Sequence, residues 1–263
     1  SKAYNGTTEQ IDTDYTKLLD KPGAVARKQG DAAGQLAKGK NNLQAEFHFP
    51  FLAHAAMEPL NCLIKLDKDG VEVWNGEQMQ TPDQAALANV LGLKPEQVKL
   101  NMLYAGGSFG RRASSQADYL VEAAHIVKAI KGKAPVKLVW SREDDMKAGY
   151  YRPAYVHRVR AALGPNGQPI AWENRIVGQS IIKGSPFEAV MVKDGVDATS
   201  VEGSANLPYQ IPNMLVDLHT TNDQVQVPVL WWRAVGSTHT AYATEVFLDE
   251  LAEQAKQDPV KYR

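Results

Sequence analysis

Between positions 98 and 140 the chain changes texture in a fixed order. Residues 98–103 are a short apolar run, and Ala105-Gly106-Gly107-Ser108-Phe109-Gly110-Arg111-Arg112 is a glycine-rich stretch. Leu120, Ala124, Val127 and Ile130 then recur at spacings of 4, 3 and 3, Gly132 closes the repeat, and residues 136–140 are apolar again. That spacing puts the apolar side chains on one face of a helix. Ser114 or Ser115 supplies an N-cap, and a glycine just past the last periodic residue is a C-terminal signal. Strand, loop, helix, strand predicts a βαβ-like unit and a mixed fold, α+β or α/β.

The flanking sequence agrees. Residues 46–52 read as a strand. Cys62 to Leu66, the turn Asp67-Lys68-Asp69-Gly70 and Val71 to Trp74 predict a β-hairpin. Residues 155–163, Gly164-Pro165-Asn166-Gly167 and residues 170–177 predict a second. A helix is expected from Thr81-Pro82-Asp83 to Leu91, with Gly92 at its end. Ser141 caps another helix start, with Glu143 and Asp144 in its first turn. Strands are expected at 215–220 and 225–232, and residues 178–213 read as loop. Thr244, Phe247, Leu248, Leu251 and Ala255 mark a last amphipathic helix ending near Pro259. Residues 1–44 are polar and punctuated by Gly23, Gly30, Gly34 and Gly39, with one or two helical turns around Ile11 to Leu19. They read as a lead-in or linker, or as an ordinary loop-rich edge. No internal repeat occurs.

Composition narrows the function. Lys and Arg number 29 against 30 Asp and Glu, a net charge of −1, so no basic field draws the chain to nucleic acid or an anionic membrane. The single cysteine, Cys62, excludes an internal disulfide and a Cys-rich zinc or iron–sulfur site within this chain. No apolar run approaches the roughly 18 residues of a membrane span, and Ser1-Lys2-Ala3-Tyr4 has no signal-peptide core. The start without Met and the ending at Arg263 lead us to expect a piece of a longer protein.

Three segments carry candidate chemistry. The stretch 105–112 lies between a strand and a helix, where glycines let backbone N–H groups approach an anion or oxo group and Arg111 and Arg112 suit a phosphate. It has neither the Walker nor the dinucleotide pattern, and by itself it also reads as a tight turn around a buried Phe. Trp74-Asn75-Gly76-Glu77-Gln78 ends a strand on a Gln that either presents its amide to a ligand or faces water. Trp231-Trp232-Arg233-Ala234-Val235-Gly236-Ser237 offers an aromatic pocket with a cation, or a surface Arg stacked on Trp. His48, His54 and Glu58 are separated by Pro50 and flanked by Pro59, so one continuous helix does not present them. No metal-ligand set among the protein side chains is expected.

Taken in order, these segments are familiar. Phe51-Leu-Ala-His54-Ala-Ala-Met57-Glu58-Pro59-Leu-Asn61-Cys62, Val73-Trp74-Asn-Gly-Glu-Gln78, Gly106-Gly107-Ser108-Phe109-Gly110-Arg111-Arg112, residues 135–146, Tyr151-Arg152-Pro153, Arg233-Ala234-Val235-Gly236 and the ending from Phe247 to Pro259 resemble the molybdenum hydroxylases. These are the large subunits of the xanthine dehydrogenase and aldehyde oxidase family. The Gly-Arg-Arg and Trp-Trp-Arg variants look most like the isoquinoline 1-oxidoreductase β branch. The resemblance covers residues 45–263, which it implies are part of a molybdopterin-binding domain of a larger bacterial subunit.

The resemblance implies an oxidoreductase that adds water-derived oxygen to an N-heteroaromatic or aldehyde carbon. Its molybdenum is held by a pterin, expected as the cytosine dinucleotide form, and not by side chains. Gln78 matches a Gln that approaches a metal oxo ligand. The backbone of Gly106, Gly107, Ser108, Phe109, Gly110 and Arg111 would lie against metal and pterin. Arg233 matches a residue near the substrate, with Trp232 and Val235 at the pocket. Partners would be a small subunit with two [2Fe–2S] clusters, the remainder of the large subunit and a small-molecule substrate. Branch resemblance suggests a periplasmic or inner-membrane setting.

The sequence also departs from the family. Ala113 replaces a substrate-contacting Glu of some members, and Gly-Gly-Ser-Phe replaces the common Gly-Gly-Gly-Phe. The Gly-x-Gly-Glu segment that carries the family's general base does not occur in the 263 residues. These residues alone are therefore expected to be inactive, and to bind no cofactor by themselves. The competing reading is a binding or assembly module that keeps the scaffold without catalysis.

Overall fold

A computed structural model describes residues 4–39 and 41–263. The chain forms two units. One contains the segments ending at Leu52, running from Pro153 to Val229, and running from Ala234 to Arg263. The other contains residues 53–152 with Leu230 to Arg233.

In the first unit the hairpin Tyr155–Leu163 and Pro169–Gly178 forms as expected, antiparallel, with Gly167 at φ +79° in the turn. It sits inside a five-stranded sheet ordered Ala24–Gln29, Asn213–Thr220, Pro169–Gly178, Tyr155–Leu163, Asn42–Phe49. All neighbours are antiparallel except Pro169–Gly178 and Asn213–Thr220, which are parallel. A parallel pair needs a long crossover. Residues 179–212 are that crossover, and carry the short helices Glu188–Met191 and Ala198–Val201. Helix Ser237–Gln254 buries Phe247, Leu248, Leu251 and Ala252 with Val159, Ala161, Trp172 and Met214.

The described part of residues 1–44, expected as a polar lead-in or a loop-rich edge, is built into this unit. Helix Thr8–Leu18 carries a capping box between Thr7 and Gln10, Ala24–Gln29 is an edge strand, and Ala32–Lys38 is helical. Ile11, Tyr15 and Leu19 are buried with Val156, Val177 and Val225. The one or two turns expected around Ile11 to Leu19 are thus part of a longer helix, and an edge strand tolerates the charges of Arg27 and Lys28.

The second unit is built on the hairpin Asn61–Leu66 and Val71–Asn75. Val98–Met102 pairs parallel with Val71–Asn75, and Val136–Val139 pairs antiparallel with Asn61–Leu66. The parallel neighbours are joined through helix Gln80–Leu91, which ends on Gly92 at φ +72°. The crossover expected over residues 98–140 therefore links the two outer strands, with the earlier hairpin inserted between them, a split βαβ arrangement. Packing selects this order. Cys62, Ile64, Val71 and Val73 all bury in one core with Leu87, Leu120, Ala124 and Val127 from the two helices.

Two local expectations differ. Helix Asp118–Ala129 starts after the Ser114 and Ser115 caps, behind Ala117 at φ +48°. Ser114 instead closes a turn, its Oγ accepting from Gln116 N–H at 3.3 Å. Residues 225–232, apolar enough for a strand, pair as no regular strand. Their ties are single hydrogen bonds, among them Leu230 N–H to the Tyr151 carbonyl at 2.9 Å and Gln179 Nε2 to the Val225 and Val227 carbonyls at 3.0 Å.

Candidate cofactor-binding site

The glycine-rich stretch joins Val98–Met102 to Asp118–Ala129 in the second unit. Gly107, Phe109 and Gly110 hold φ of +103°, +57° and +106°, a conformation costly for Phe109. A Cβ on Gly110 would lie 2.7 Å from the Trp231 carbonyl oxygen. Among the described residues, the N–H groups of Gly107, Ser108, Phe109 and Gly110 donate to no protein group, whereas those of Gly106, Arg111 and Arg112 are taken. Successive free N–H groups of this kind form an anion-binding nest.

Glu58 fixes the base of the loop. Its carboxylate accepts from Gly106 N–H at 2.5 Å, Asn61 Nδ2 at 2.6 Å and Arg112 Nη2 at 3.0 Å. Its own N–H donates to the Gly106 carbonyl at 3.1 Å. The Asn61 and Gly106 hydrogen bonds hold the Glu58 carboxyl below its ordinary range. The Arg112 side chain is only 1% exposed, and its Nε and Nη1 have no partner among the described residues.

Arg111 corrects the expectation that its guanidinium suits a phosphate. It donates to both oxygens of Asp118, at 3.2 and 2.5 Å. It also lies 5.6 Å from the Trp140 ring and 5.2 Å from the Tyr150 ring. A charge paired and stacked in this way holds the turn together.

Gln78 is exposed and sits beside the loop, where the Ser108 hydroxyl donates to its Oε1. Behind it, Glu77 is buried with neither carboxyl oxygen partnered among the described residues, and burial raises its pKa. Asp83 is buried nearby, and burial together with the Glu77 charge pushes its carboxyl up to about 7.

Residues 230–233 return to this unit and dock on the loop. Arg233 N–H donates to the Phe109 carbonyl at 2.8 Å. His54, Trp232, Phe109 and Arg233 form a column. His54 and Trp232 rings stack at 4.9 Å, Trp232 and Phe109 at 5.9 Å, and the Arg233 guanidinium lies 5.3 Å over Phe109. His54 Nε2 meets the Trp231 carbonyl at 2.9 Å, and burial lowers its pKa. Val235 belongs to the first unit. There it adopts φ +46° and borders a cavity of about 880 Å³ with Val190, Thr199 and Glu202.

The second unit thus brings Gln78, residues 106–111, Trp232 and Arg233 together. Sequence reading assigned no role to Glu58 or His54 and missed the pairing of Arg112, because no spacing rule links positions that far apart. The uninterrupted Gly-Arg-Arg was the one local signal for Arg112.

The profile of the molybdopterin cofactor-binding domain matches residues 18–263. The chain belongs to this family. The isoquinoline 1-oxidoreductase subunit beta of Brevundimonas diminuta is 33% identical over 220 residues, 83% of this chain and 27% of that protein. The aldehyde oxidoreductase molybdenum-binding subunit PaoC of Escherichia coli O157:H7 is 28% identical over 234 residues, 89% of this chain and 30% of that protein. Quinoline 2-oxidoreductase from Pseudomonas putida 86 shares the fold, with a TM-score of 0.71 at 16% identity over 91% of this chain and 30% of that one. The chain thus spans less than a third of the length of these proteins.

The residues present fit a molybdopterin cofactor. Its oxygens need N–H donors, and among the described residues the glycine-rich loop presents four in a row with no protein acceptor. Among the described residues, no group of three or more His, Cys, Asp or Glu is placed to hold a metal ion.

Proposed function

We propose that this chain forms the metal-facing part of an oxidoreductase that adds water-derived oxygen to a carbon of an N-heteroaromatic ring or an aldehyde. The observation that carries the reading is the row of free N–H groups from Gly107 to Gly110 with the Gln78 amide beside it. The bound molybdenum group would supply the two-electron oxidation. The protein's part is to hold and orient it. The N–H groups of residues 107–110 bind its oxygens, Gly106 and Arg111 hold the loop shape, and Gln78 approaches the metal end. Arg233 and Trp232 border the substrate.

The names of the relatives support this substrate class. In the same reading the pterin carries a cytosine dinucleotide, and electrons leave through [2Fe–2S] clusters on a small partner subunit. The general base comes from the remainder of the large subunit, so the 263 residues alone are inactive.

The test is molybdenum and pterin per chain in the full-length protein from its native cells, with and without Gly107→Val. We expect about one metal per chain, lost in the variant because φ +103° strains a branched residue and its Cβ would lie 3.3 Å from Ala56. Retained cofactor in Gly107→Val removes the loop from the site. A wild-type value near zero, with no loss on handling, favours the non-catalytic module.

A further inference from the structure

The residue at which this sequence leaves the common Gly-Gly-Gly-Phe pattern is the one that touches Gln78. A serine hydroxyl has one hydrogen to donate and two lone pairs. At Ser108 one lone pair accepts the Arg112 N–H at 3.0 Å, and the hydrogen goes to Gln78 Oε1. Arg112 is itself anchored, since its Nη2 donates to the Glu58 carboxylate that also holds Gly106 N–H. Glu58, Arg112, Ser108 and Gln78 are thus one relay of hydrogen bonds ending at an exposed amide. A planar amide with its oxygen engaged turns its NH₂ the other way. Gln78 Nε2 donates to no group among the described residues.

We propose that Ser108 is a positioning residue that fixes the orientation of the Gln78 amide. The NH₂ then faces the space over the loop, and Gln78 meets an oxygen-bearing ligand as a hydrogen-bond donor. Without the hydroxyl the amide rotates and offers either end. This inference rests on the placement of Gln78 at the cofactor proposed above.

The experiment uses the full-length holoenzyme with Ser108→Ala, Ser108→Gly, Ser108→Thr, Gln78→Ala and the Ser108→Ala/Gln78→Ala pair. Four readouts are taken: molybdenum and pterin content, the Mo(V) electron paramagnetic resonance signal, kcat and KM. We expect Ser108→Ala and Ser108→Gly to keep metal and pterin near wild type. Their kcat should fall about tenfold to a hundredfold, as for a misoriented active-site group, with a smaller change in KM. Their Mo(V) signal should shift in the same sense as that of Gln78→Ala. Ser108→Thr should restore most of both. Adding Ser108→Ala to Gln78→Ala should change neither further.

An altered Gln78→Ala beside Ser108 variants identical to wild type overturns the proposal and leaves the cofactor reading intact. So does full additivity in the double variant. Loss of metal and pterin in both Ser108→Ala and Ser108→Gly overturns it too, by making the Ser108 hydroxyl, and not only its N–H, part of the cradle. A Gln78→Ala protein unchanged in signal and kcat instead overturns the placement of Gln78 itself, and the proposal with it.

Discussion

The Glu58 carboxylate meets the Arg112 guanidinium at 3.0 Å across 54 positions of sequence. That contact pins the two ends of the glycine loop to one point, because the same carboxylate holds Gly106 N–H at 2.5 Å. The free N–H groups of residues 107–110 lie between these anchors, and the loop keeps its shape through Glu58.

Glu58→Ala should therefore loosen the loop without dismantling the core. Removing the carboxylate leaves the Arg112 guanidinium, 1% exposed, without its ion-pair partner, so the expected loss is about 3–5 kcal/mol. Denaturant melts measure that loss, and pterin retention in the full-length protein should fall with it. The Glu58 pKa is lowered by Asn61 and Gly106, so its stabilisation is complete above the ordinary carboxylate range and fades as the pH falls below it. Unchanged acid stability in Glu58→Ala would contradict the anchor.

Asp83 predicts a pH dependence of opposite sign. Its folded-state carboxyl is pushed up to about 7 by burial and by Glu77. The folded protein therefore holds a proton that the unfolded chain releases near pH 4. Between those values the folded form binds more protons, so this residue lowers stability as the pH rises from about 4 to about 7. Asp83→Asn should remove that slope and melt above wild type at pH 8, by about 1–3 kcal/mol. Urea titrations at pH 5 and pH 8 decide it. Equal wild-type and variant slopes would count against a neutral buried Asp83.

His157 acts on the acid side. It is fully buried, its Nε2 lies 2.8 Å from His239 Nδ1, and burial pushes its pKa down to about 3. The unfolded imidazole takes up a proton near pH 6.5. Stability from this residue is thus fully present above about 6.5 and declines as the pH falls toward 3. His157→Gln should be less stable than wild type at pH 8, yet flatter between pH 7 and pH 4. Thermal melts across that range measure it, and an equally steep variant would show that other groups carry the acid transition.

These effects show where sequence reading stops. Both hairpins, the helix ending on Gly92 and the inward set Phe247, Leu248 and Leu251 were legible, because turn residues and apolar spacing act within a few positions. The helix Thr8–Leu18 was legible only as one or two turns around Ile11 to Leu19, and the edge strand Ala24–Gln29 was not, because its charged, half-exposed residues do not alternate like a strand. Among the candidate residues, the glycine loop and Gln78 were visible from motif order. The fate of Arg111 was invisible, since Asp118, Trp140 and Tyr150 meet it only after the chain has turned.

The sequence by itself determined the mixed fold, the family and the place of the glycine loop between strand and helix, since each of these is written in local order. Tertiary structure decided the rest. It inserted the hairpin between the strands of the expected crossover, separated the duties of two adjacent arginines, and set Ser108 against Gln78. The physical reason is that apolar faces must bury together and polar and charged groups must find partners, and groups far apart in sequence are brought together only by packing.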